Sequence, residues 1–479
     1  MPRLRTLVLG ALLALFLPLL SGFGTAQAAT VTVTNGTQFT DTAGDPLHAH
    51  GAGVIKVGQY YYWFGENRNA DNSFRYVSAY RSTDLKTWEF RNHVLTQAAA
   101  PELDYAIIER PKVMYNAATG KFVMWMHKEY GAHYGEARAA VAVSDTVDGT
   151  YTWQGSFRPL GEMSRDITTF VDDDGTGYMV SAANENADLH IYRLTADYTA
   201  IDAQVQNLWV GQSREAPALF KRNGVYFLLT SGATGWSPNQ QKYGTAGSVT
   251  GSWSGLQDIG DGTTYGSQTA FVLPVQGTNG TSYLYMGDRW GNSMGGTVND
   301  SQYVWLPLTF PTATTMSMGY SPQITVDTAT GTVSGMNVTW ESLTGRQSGK
   351  CADIANYSFA ASAQLIQWGC GNGANQDLWL KNLGTGYVQI MARHSGRCLD
   401  IADASTANGA LVVQSTCNGT TSQQWQVQKV SGATGYVRLI ARHSGKCLDV
   451  TNQSTANGTA LEQWTCGTGT NQQWQRTDA

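Results

Sequence analysis

Between residues 29 and 340 apolar side chains come in short unbroken runs, each introduced by a glycine turn. Three of the clearest are Tyr60-Tyr61-Tyr62-Trp63-Phe64 after Gly58, Phe122-Val123-Met124-Trp125-Met126 after Gly120, and Tyr178-Met179-Val180 after Gly175. Two more are Val225-Tyr226-Phe227-Leu228-Leu229 after Asn223-Gly224, and Tyr283-Leu284-Tyr285-Met286 after Gly280. Runs this short, rich in aromatic and aliphatic residues and bounded by turns, read as buried strands. The turns fall at residues 58, 120, 175, 224 and 280, so one unit recurs at uneven intervals. Uneven repetition of one supersecondary unit predicts a propeller whose blades carry different loops, and five copies predict five blades. A sandwich of unrelated hairpins is the alternative. Segments 76–80 and 140–145 fit outer strands of such blades.

A different pattern begins near residue 341. Ser348-Gly349-Lys350-Cys351-Ala352-Asp353, Ser395-Gly396-Arg397-Cys398-Leu399-Asp400 and Ser444-Gly445-Lys446-Cys447-Leu448-Asp449 open three internal repeats. Each repeat closes on a Gln and a Trp: Gln376 with Trp379, Gln423 with Trp425, and Gln472 with Trp474. The expected organisation is therefore all-β, with one domain over residues 29–340 and a second over 341–479.

The first 28 residues change the picture of where the chain works. Arg3 and Arg5 precede an apolar run from Leu7 to Leu20, which leads to Ala26-Gln27-Ala28. A basic start, an apolar core and an Ala-x-Ala site read as a secretory signal peptide over residues 1–28. The run is too short to span a bilayer and Pro18 interrupts it. The expectation is a secreted, extracellular protein with no membrane partner.

Removing Arg3 and Arg5 leaves 29 of the 31 basic side chains against 36 acidic ones. So mild an acidity, with few Lys and Arg, excludes nucleic acid as a partner. All six cysteines lie after residue 350, and an oxidising compartment makes them a disulfide framework. A constant spacing of 19 pairs Cys351 with Cys370, Cys398 with Cys417 and Cys447 with Cys466. No CxxC pair exists to suggest zinc.

In a propeller the inner strands converge on the axis, so distant residues meet there. The candidate carboxylates are Glu66 in Gly65-Glu66-Asn67-Arg68, Glu109 in Glu109-Arg110-Pro111-Lys112-Val113, and Asp166 in Ser164-Arg165-Asp166. Glu215 in Ser213-Arg214-Glu215-Ala216-Pro217 and Asp288 in Gly287-Asp288-Arg289 complete the set. As surface ion pairs these would contribute little. Gathered at an axis they form a cleft of paired carboxylates, the equipment of glycoside hydrolysis. His48 and His50 share a strand face and are expected to be ordinary hydrogen-bonded side chains. No metal or cofactor is called for.

These motifs, together with Gly266-Ser267-Gln268-Thr269, occur in the order found in glycoside hydrolase family 43 and resemble it over roughly residues 40–310. That family has the five-bladed propeller fold, and the motifs are similar to those of its exo-β-1,3-galactanase group. The resemblance implies that Glu215 is the general acid and that Asp166 orients it and tunes its pKa. It implies that Gln268 holds the attacking water and that Glu109 is essential and contacts the terminal sugar. Further sugar contacts are expected from Glu66, Arg110, Tyr130, Asn186, Trp236 and Arg289. Most of the family supplies a base Asp before the first strand, where this chain reads His48-Ala49-His50-Gly51. The base is thus open: Gln268 as an imidic-acid tautomer, or Glu109. An inverting pair needs its carboxyls roughly 6.5–9.5 Å apart to admit a water. Retention with Glu109 as nucleophile is the remaining option.

The threefold repeat resembles the ricin-B-type β-trefoil, carbohydrate-binding module family 13. The resemblance implies a shallow sugar site in each repeat. The first would use Asp353, Trp368, Asn375 and Gln376, and the third Asp449, Trp464, Asn471 and Gln472. The second has Ser415 and Ser422 where the ring and the Asn belong. It is expected to bind weakly, with Asp400 satisfying backbone N–H groups of its turn. The first repeat reads Gln376-Asp377-Leu378-Trp379, one residue longer than Gln-x-Trp. Together the resemblances imply a monomeric exo-acting enzyme that releases galactose from the non-reducing end of β-1,3-galactan or arabinogalactan. The alternatives are an arabinofuranosidase or xylosidase of the same family, against which the missing Asp speaks, and a galactose-binding lectin with an inactive propeller.

Overall fold

Each of the five glycine turns closes the same hairpin, between the first and second strands of a four-stranded antiparallel sheet. The computed structural model describes residues 30–131 and 133–479, so the expected signal peptide lies outside the described residues. The five sheets are blades I to V. Their first strands are His50–Val57, Ala106–Asn116, Ile167–Val171, Arg214–Arg222 and Gln268–Gly277. Each first strand touches those of the blades on either side, and the fifth touches the first, so the five enclose an axis.

The unbroken apolar runs have a physical reason. Both faces of a blade are buried, so a strand needs apolar residues at every position and loses the polar–apolar alternation of a half-exposed sheet. In blade I, Tyr61 and Trp63 pack against blade V, while Tyr62 and Phe64 pack against blade II. Met124 and Met126 face blade I, and Val123 and Trp125 face blade III. The remaining two clusters lie between blades III and IV and between IV and V.

A small sheet closes the ring. Val31–Thr34 pairs with Gln323–Asp327, which pairs with Thr332–Gly335. Val33, Ile324 and Val326 extend the core shared by blades I and V. The buried Asn35 amide donates to the carbonyls of Trp305 and Ser321 and accepts from Trp305 N–H at 2.7 Å.

The second unit is a twelve-stranded trefoil whose ends meet, Glu341–Gly345 pairing with Trp474–Asp478. The three disulfides join the cysteines 19 residues apart. Trp425 and Trp474 fill its core from the second and third repeats. In the first repeat Leu378 holds that place, and Trp379 is only half-buried beside Lys381. The expected extra residue is therefore absent: the motif is Gln-x-Leu, in register with the other two. No helix among the described residues is long and apolar enough to cross a membrane.

Candidate active site

Four first strands carry a register shift beside their site residue. The shifts fall after His50 in blade I, Glu109 in blade II, Glu215 in blade IV and Thr269 in blade V. A bulge bends the strand and re-aims side chains, and here it turns them to the axis at one level. In three blades the residue after the site position has positive φ: Gly51 (61°), Arg110 (52°) and Ala216 (52°). Glycine accepts this conformation freely, while Arg110 and Ala216 are held there at a cost of order 1 kcal/mol or more each. The corresponding bulge position in blade I is His50, fully buried, with Nδ1 3.4 Å from Asp288 and its ring stacked on Tyr303.

A cavity of about 260 Å³ opens above these bulges. Glu66, Glu109, Asp166, Glu215, Gln268 and Arg110 all line it, as do Asn186 and Trp236. Trp236 meets Trp290 edge to face at 5.1 Å, forming an aromatic wall. Asn186 ends a tight turn in which Asn184, Glu185 and Asn186 all have positive φ, and its amide reaches Glu215 Oε2 at 3.1 Å.

Glu215 and Gln268 are hydrogen-bonded neighbours. Gln268 Nε2 donates to Glu215 Oε1 and to Ser231 Oγ, both at 2.9 Å. Its Oε1 accepts from Arg110 at 2.6 Å and from Trp290 Nε1 at 2.8 Å. Arg and Trp side chains only donate, so the amide can point only one way, and all four of its hydrogen-bonding positions are taken. Burial and the nearby Asp166 push the Glu215 carboxyl up to about 8, so it is protonated at neutral pH. Asp166 receives the Ala216 N–H at 3.1 Å and pairs with Arg110 Nε at 2.9 Å. It thereby grips the backbone next to Glu215.

Glu109 has the opposite electrostatics. Burial opposes its charge, but Arg68 at 2.6 Å and His127 at 3.0 Å outweigh burial and hold the carboxyl well below its usual range. Tyr134 also donates to it at 2.8 Å. His127, between Glu109 and Glu129, resists its own burial and is raised to about 9. Glu66 shares Arg68 but is raised by its complete burial. Glu109, His127 and Asp166 offer ligand atoms within 4.8 Å of one another. Arg68 and Arg110 already balance those carboxylates, which makes the trio a poor cation site.

Three expected site residues lie elsewhere. Tyr130 ends the strand Lys121–Tyr130 with 54% of its surface exposed and does not line the cavity. Strand alternation explains this: His127 and Glu129 point one way, and Tyr130 the other. The tyrosine that does line the cavity is Tyr134, on the next strand. Arg289 is fully buried and donates to the carbonyls of Tyr265, Gly266 and Ser395. Asp288 is buried too, accepting Gly51 N–H at 2.9 Å beneath the site. His127, Tyr134 and Trp290 line the cavity without having been expected there, and Arg68 braces Glu66 and Glu109. His127-Lys128-Glu129 was a usable signal, since two titratable residues at strand period share one face.

The trefoil sites have simpler geometry. Asp353 accepts from Asn375 and Gln376, both at 2.8 Å, and Asp449 accepts from Asn471 at 2.9 Å and Gln472 at 2.6 Å. Trp368 and Trp464 are 47% and 45% exposed, unusual for so large an apolar ring. In the second repeat Asp400 accepts from Gln423 at 3.0 Å, and its other oxygen is buried without a partner. It caps no backbone N–H, contrary to expectation, because the turn is already closed by its own backbone bond from Ser405 to Ala402.

Two buried carboxyls of opposite character, Glu215 shifted up and Glu109 shifted down, thus line one cavity at the propeller axis, an arrangement fitted to acid-assisted bond cleavage. Residues 48–261 match the model for glycosyl hydrolases family 43, and residues 339–474 match the ricin-type β-trefoil lectin domain. A crystal structure of an exo-β-1,3-galactanase from Clostridium thermocellum is 48% identical, over 94% of this chain and 100% of that one, with a TM-score of 0.65. An exo-β-1,3-galactanase from Phanerochaete chrysosporium, crystallised with β-1,3-galactotriose, is 29% identical over 94% of each chain, with a TM-score of 0.63. No curated protein matches the chain. The chain belongs to glycoside hydrolase family 43.

Proposed function

We propose that this protein is a secreted, exo-acting galactan 1,3-β-galactosidase that removes galactose from the non-reducing end of β-1,3-galactan, including the backbone of arabinogalactan. The observation that carries this reading is Glu215, held protonated at neutral pH inside the axial cavity. It donates a proton to the glycosidic oxygen as the bond breaks, and Asp166, gripping Ala216 N–H, fixes its direction. Glu109, held ionised, lines the same cavity and offers a negative group to the reaction. An inverting reaction then needs a water delivered to the anomeric carbon. Gln268 can hold that water only by giving up one of its four present partners. Its amide stays aligned by Arg110 and Trp290 while it does so. The trefoil holds the polysaccharide at its first and third repeats, and the three disulfides suit an extracellular setting.

Incubation with β-1,3-galactan and with arabinoxylan tests the reading directly. Galactose should be released from the first, with pentoses absent from the second. Release of arabinose or xylose alone would overturn it. NMR during the first minutes should show α-galactose; a β-anomer formed first would refute inversion.

A further inference from the structure

We infer that Arg289 is a positioning residue for Gln268, and that the trefoil completes the active site by locking Arg289 onto the loop that presents Gln268. This deepens the proposed mechanism and rests on Gln268 acting on its water side. The loop 260–267 joins the last strand of blade IV, Gln257–Ile259, to the first of blade V, Gln268–Gly277. Three successive residues in it have positive φ: Thr264 (49°), Tyr265 (57°) and Gly266 (70°). Glycine takes that conformation freely. For a β-branched Thr and a bulky Tyr it is costly, and it persists only where the surroundings over-determine it. Arg289, at the end of the strand Gly280–Arg289, is what holds the loop there. Its Nη2 donates to the Tyr265 carbonyl at 2.8 Å and its Nε to the Gly266 carbonyl at 3.3 Å. Two residues further on, Gln268 reaches Glu215.

The other side of Arg289 belongs to the trefoil. Its Nη1 donates to the Ser395 carbonyl, and the guanidinium lies 5.3 Å from the centre of the Phe359 ring. The same ring packs on Gly266 and leaves no room there for a side chain. The Tyr357 hydroxyl donates to Asp261 Oδ2 at 3.3 Å. The other oxygen of Asp261 accepts the N–H groups of Thr263 and Tyr265, at 3.0 and 2.8 Å. The threefold repeat shows that these contacts are not needed for the trefoil's own fold. Six and eight residues after the first cysteine, the first repeat has Tyr357 and Phe359, the second Ala404 and Thr406, and the third Gln453 and Thr455. Those four counterparts are exposed, whereas Phe359 is buried. Before the cysteine, Arg397 replaces Lys350 and Lys446, and it donates to the Phe359 carbonyl at 2.8 Å. The trefoil therefore departs from its own symmetry where it meets Arg289 and the loop. A shift of about 1 Å in a group that places a reactant can cost a hundredfold in rate, so a clamp this close to Gln268 bears on turnover.

The test uses the full chain and a short soluble β-1,3-galactan oligosaccharide, with Arg289→Met, Arg289→Lys and Phe359→Thr compared with wild type and Gln268→Ala. Arg289→Met and Phe359→Thr should each lower kcat about tenfold while KM changes less than about twofold, and Arg289→Lys, which keeps one donor, should recover part of the loss. The pH profile separates positioning from mere loosening. A displaced Gln268 no longer donates to Glu215, so the ionised carboxyl loses a partner and the alkaline limit of kcat/KM should move above about 8, as in Gln268→Ala. A generally loosened site would instead admit water, lessen the burial that raises this pKa, and move the limit down. Near-ultraviolet circular dichroism checks each fold, and Phe359→Thr serves if Arg289→Met fails to fold, because Thr stands at that position in the other two repeats. Wild-type kcat and pH limit in Arg289→Met and Phe359→Thr overturn the inference, as does a fall in kcat with the limit unmoved or lowered. Wild-type turnover by Gln268→Ala overturns the water-side reading itself, and the inference with it.

Discussion

The propeller cavity and the trefoil repeats of this molecule are built on opposite principles. In the propeller, carboxylates are buried among guanidiniums, and each has its charge set by neighbours. Glu215 is held neutral by burial and Asp166, while Glu109 is held ionised by Arg68 and His127. In the trefoil, each of the first and third sites has one Asp clamped by two neutral amides, beside a half-exposed Trp. Bond cleavage needs proton donors at the right pKa. Retention needs hydroxyl acceptors and apolar area, at roughly 25 cal/mol per Å² removed from water. Changes in the propeller should therefore alter turnover, and changes at the trefoil's exposed rings should alter residence on the polymer.

The sharpest break is at Glu215. Glu215→Gln should keep the fold and lower kcat by roughly a thousandfold or more on a short galactan oligosaccharide, since the leaving oxygen loses its donor. Near-normal hydrolysis would remove Glu215 from the mechanism. The same group sets a pH limit. Its folded pKa is raised to about 8, so the reactive protonated form dominates below pH 8 and is lost above it. The wild-type kcat/KM should fall tenfold per pH unit beyond that point. Glu109, shifted downward, adds no limb near neutrality. An alkaline limb starting near pH 5 would mean that burial does not govern the acid.

Next in size come Gln268→Ala and Glu109→Ala, each expected to lower turnover by about a hundredfold or more. They separate the two candidates for the water side. If Glu109 is the base, external azide should restore some activity to Glu109→Ala and none to Gln268→Ala. The reverse pattern would favour the amide. Equal activity of both variants with wild type would leave neither in the mechanism.

How much of this was legible beforehand follows from strand physics. The five glycine turns exposed the propeller because each closes the same hairpin, and a blade buried on both faces must carry an unbroken apolar strand. Glu215, Asp166 and Gln268, at or just before the start of a first strand, and Glu109, four residues into one, all line the axial cavity that the motifs around them suggested. Tyr130 and Arg289 were misplaced because facing depends on alternation counted from a bulge, and the bulges leave no clear trace in composition. The positive φ at Arg110 and Ala216 is equally silent, since neither is a glycine. Leu378 was hidden by Trp379, a ring more conspicuous than the smaller residue that fills the core.

In the trefoil, Trp368→Ala combined with Trp464→Ala should abolish retention on insoluble galactan while hydrolysis of a short soluble oligosaccharide continues at the wild-type rate. Pull-down and product assays on the same preparation decide this, and a parallel loss of soluble turnover would contradict the division of labour between the two units.

The smallest effect is expected at Asp400. Its aspartate counterpart in the first repeat, Asp353, satisfies two amides, and Asp353→Ala would strip one acceptor from each of Asn375 and Gln376. That should cost about 1–2 kcal/mol and the first site's binding. Asp400 serves only Gln423, which also donates to the Thr416 carbonyl at 2.8 Å. Its second oxygen is buried with no partner, a state that already destabilises the folded chain. Removing the carboxylate therefore loses one weak bond and relieves one unmet desolvation cost, and the two nearly cancel. Asp400→Ala should shift stability by about 0.5 kcal/mol or less and leave polysaccharide retention unchanged, because Ser415 provides no ring for a sugar to cover. Thermal melts of the two alanine variants, run beside a galactan pull-down, would expose the error if Asp400→Ala proved the more damaging.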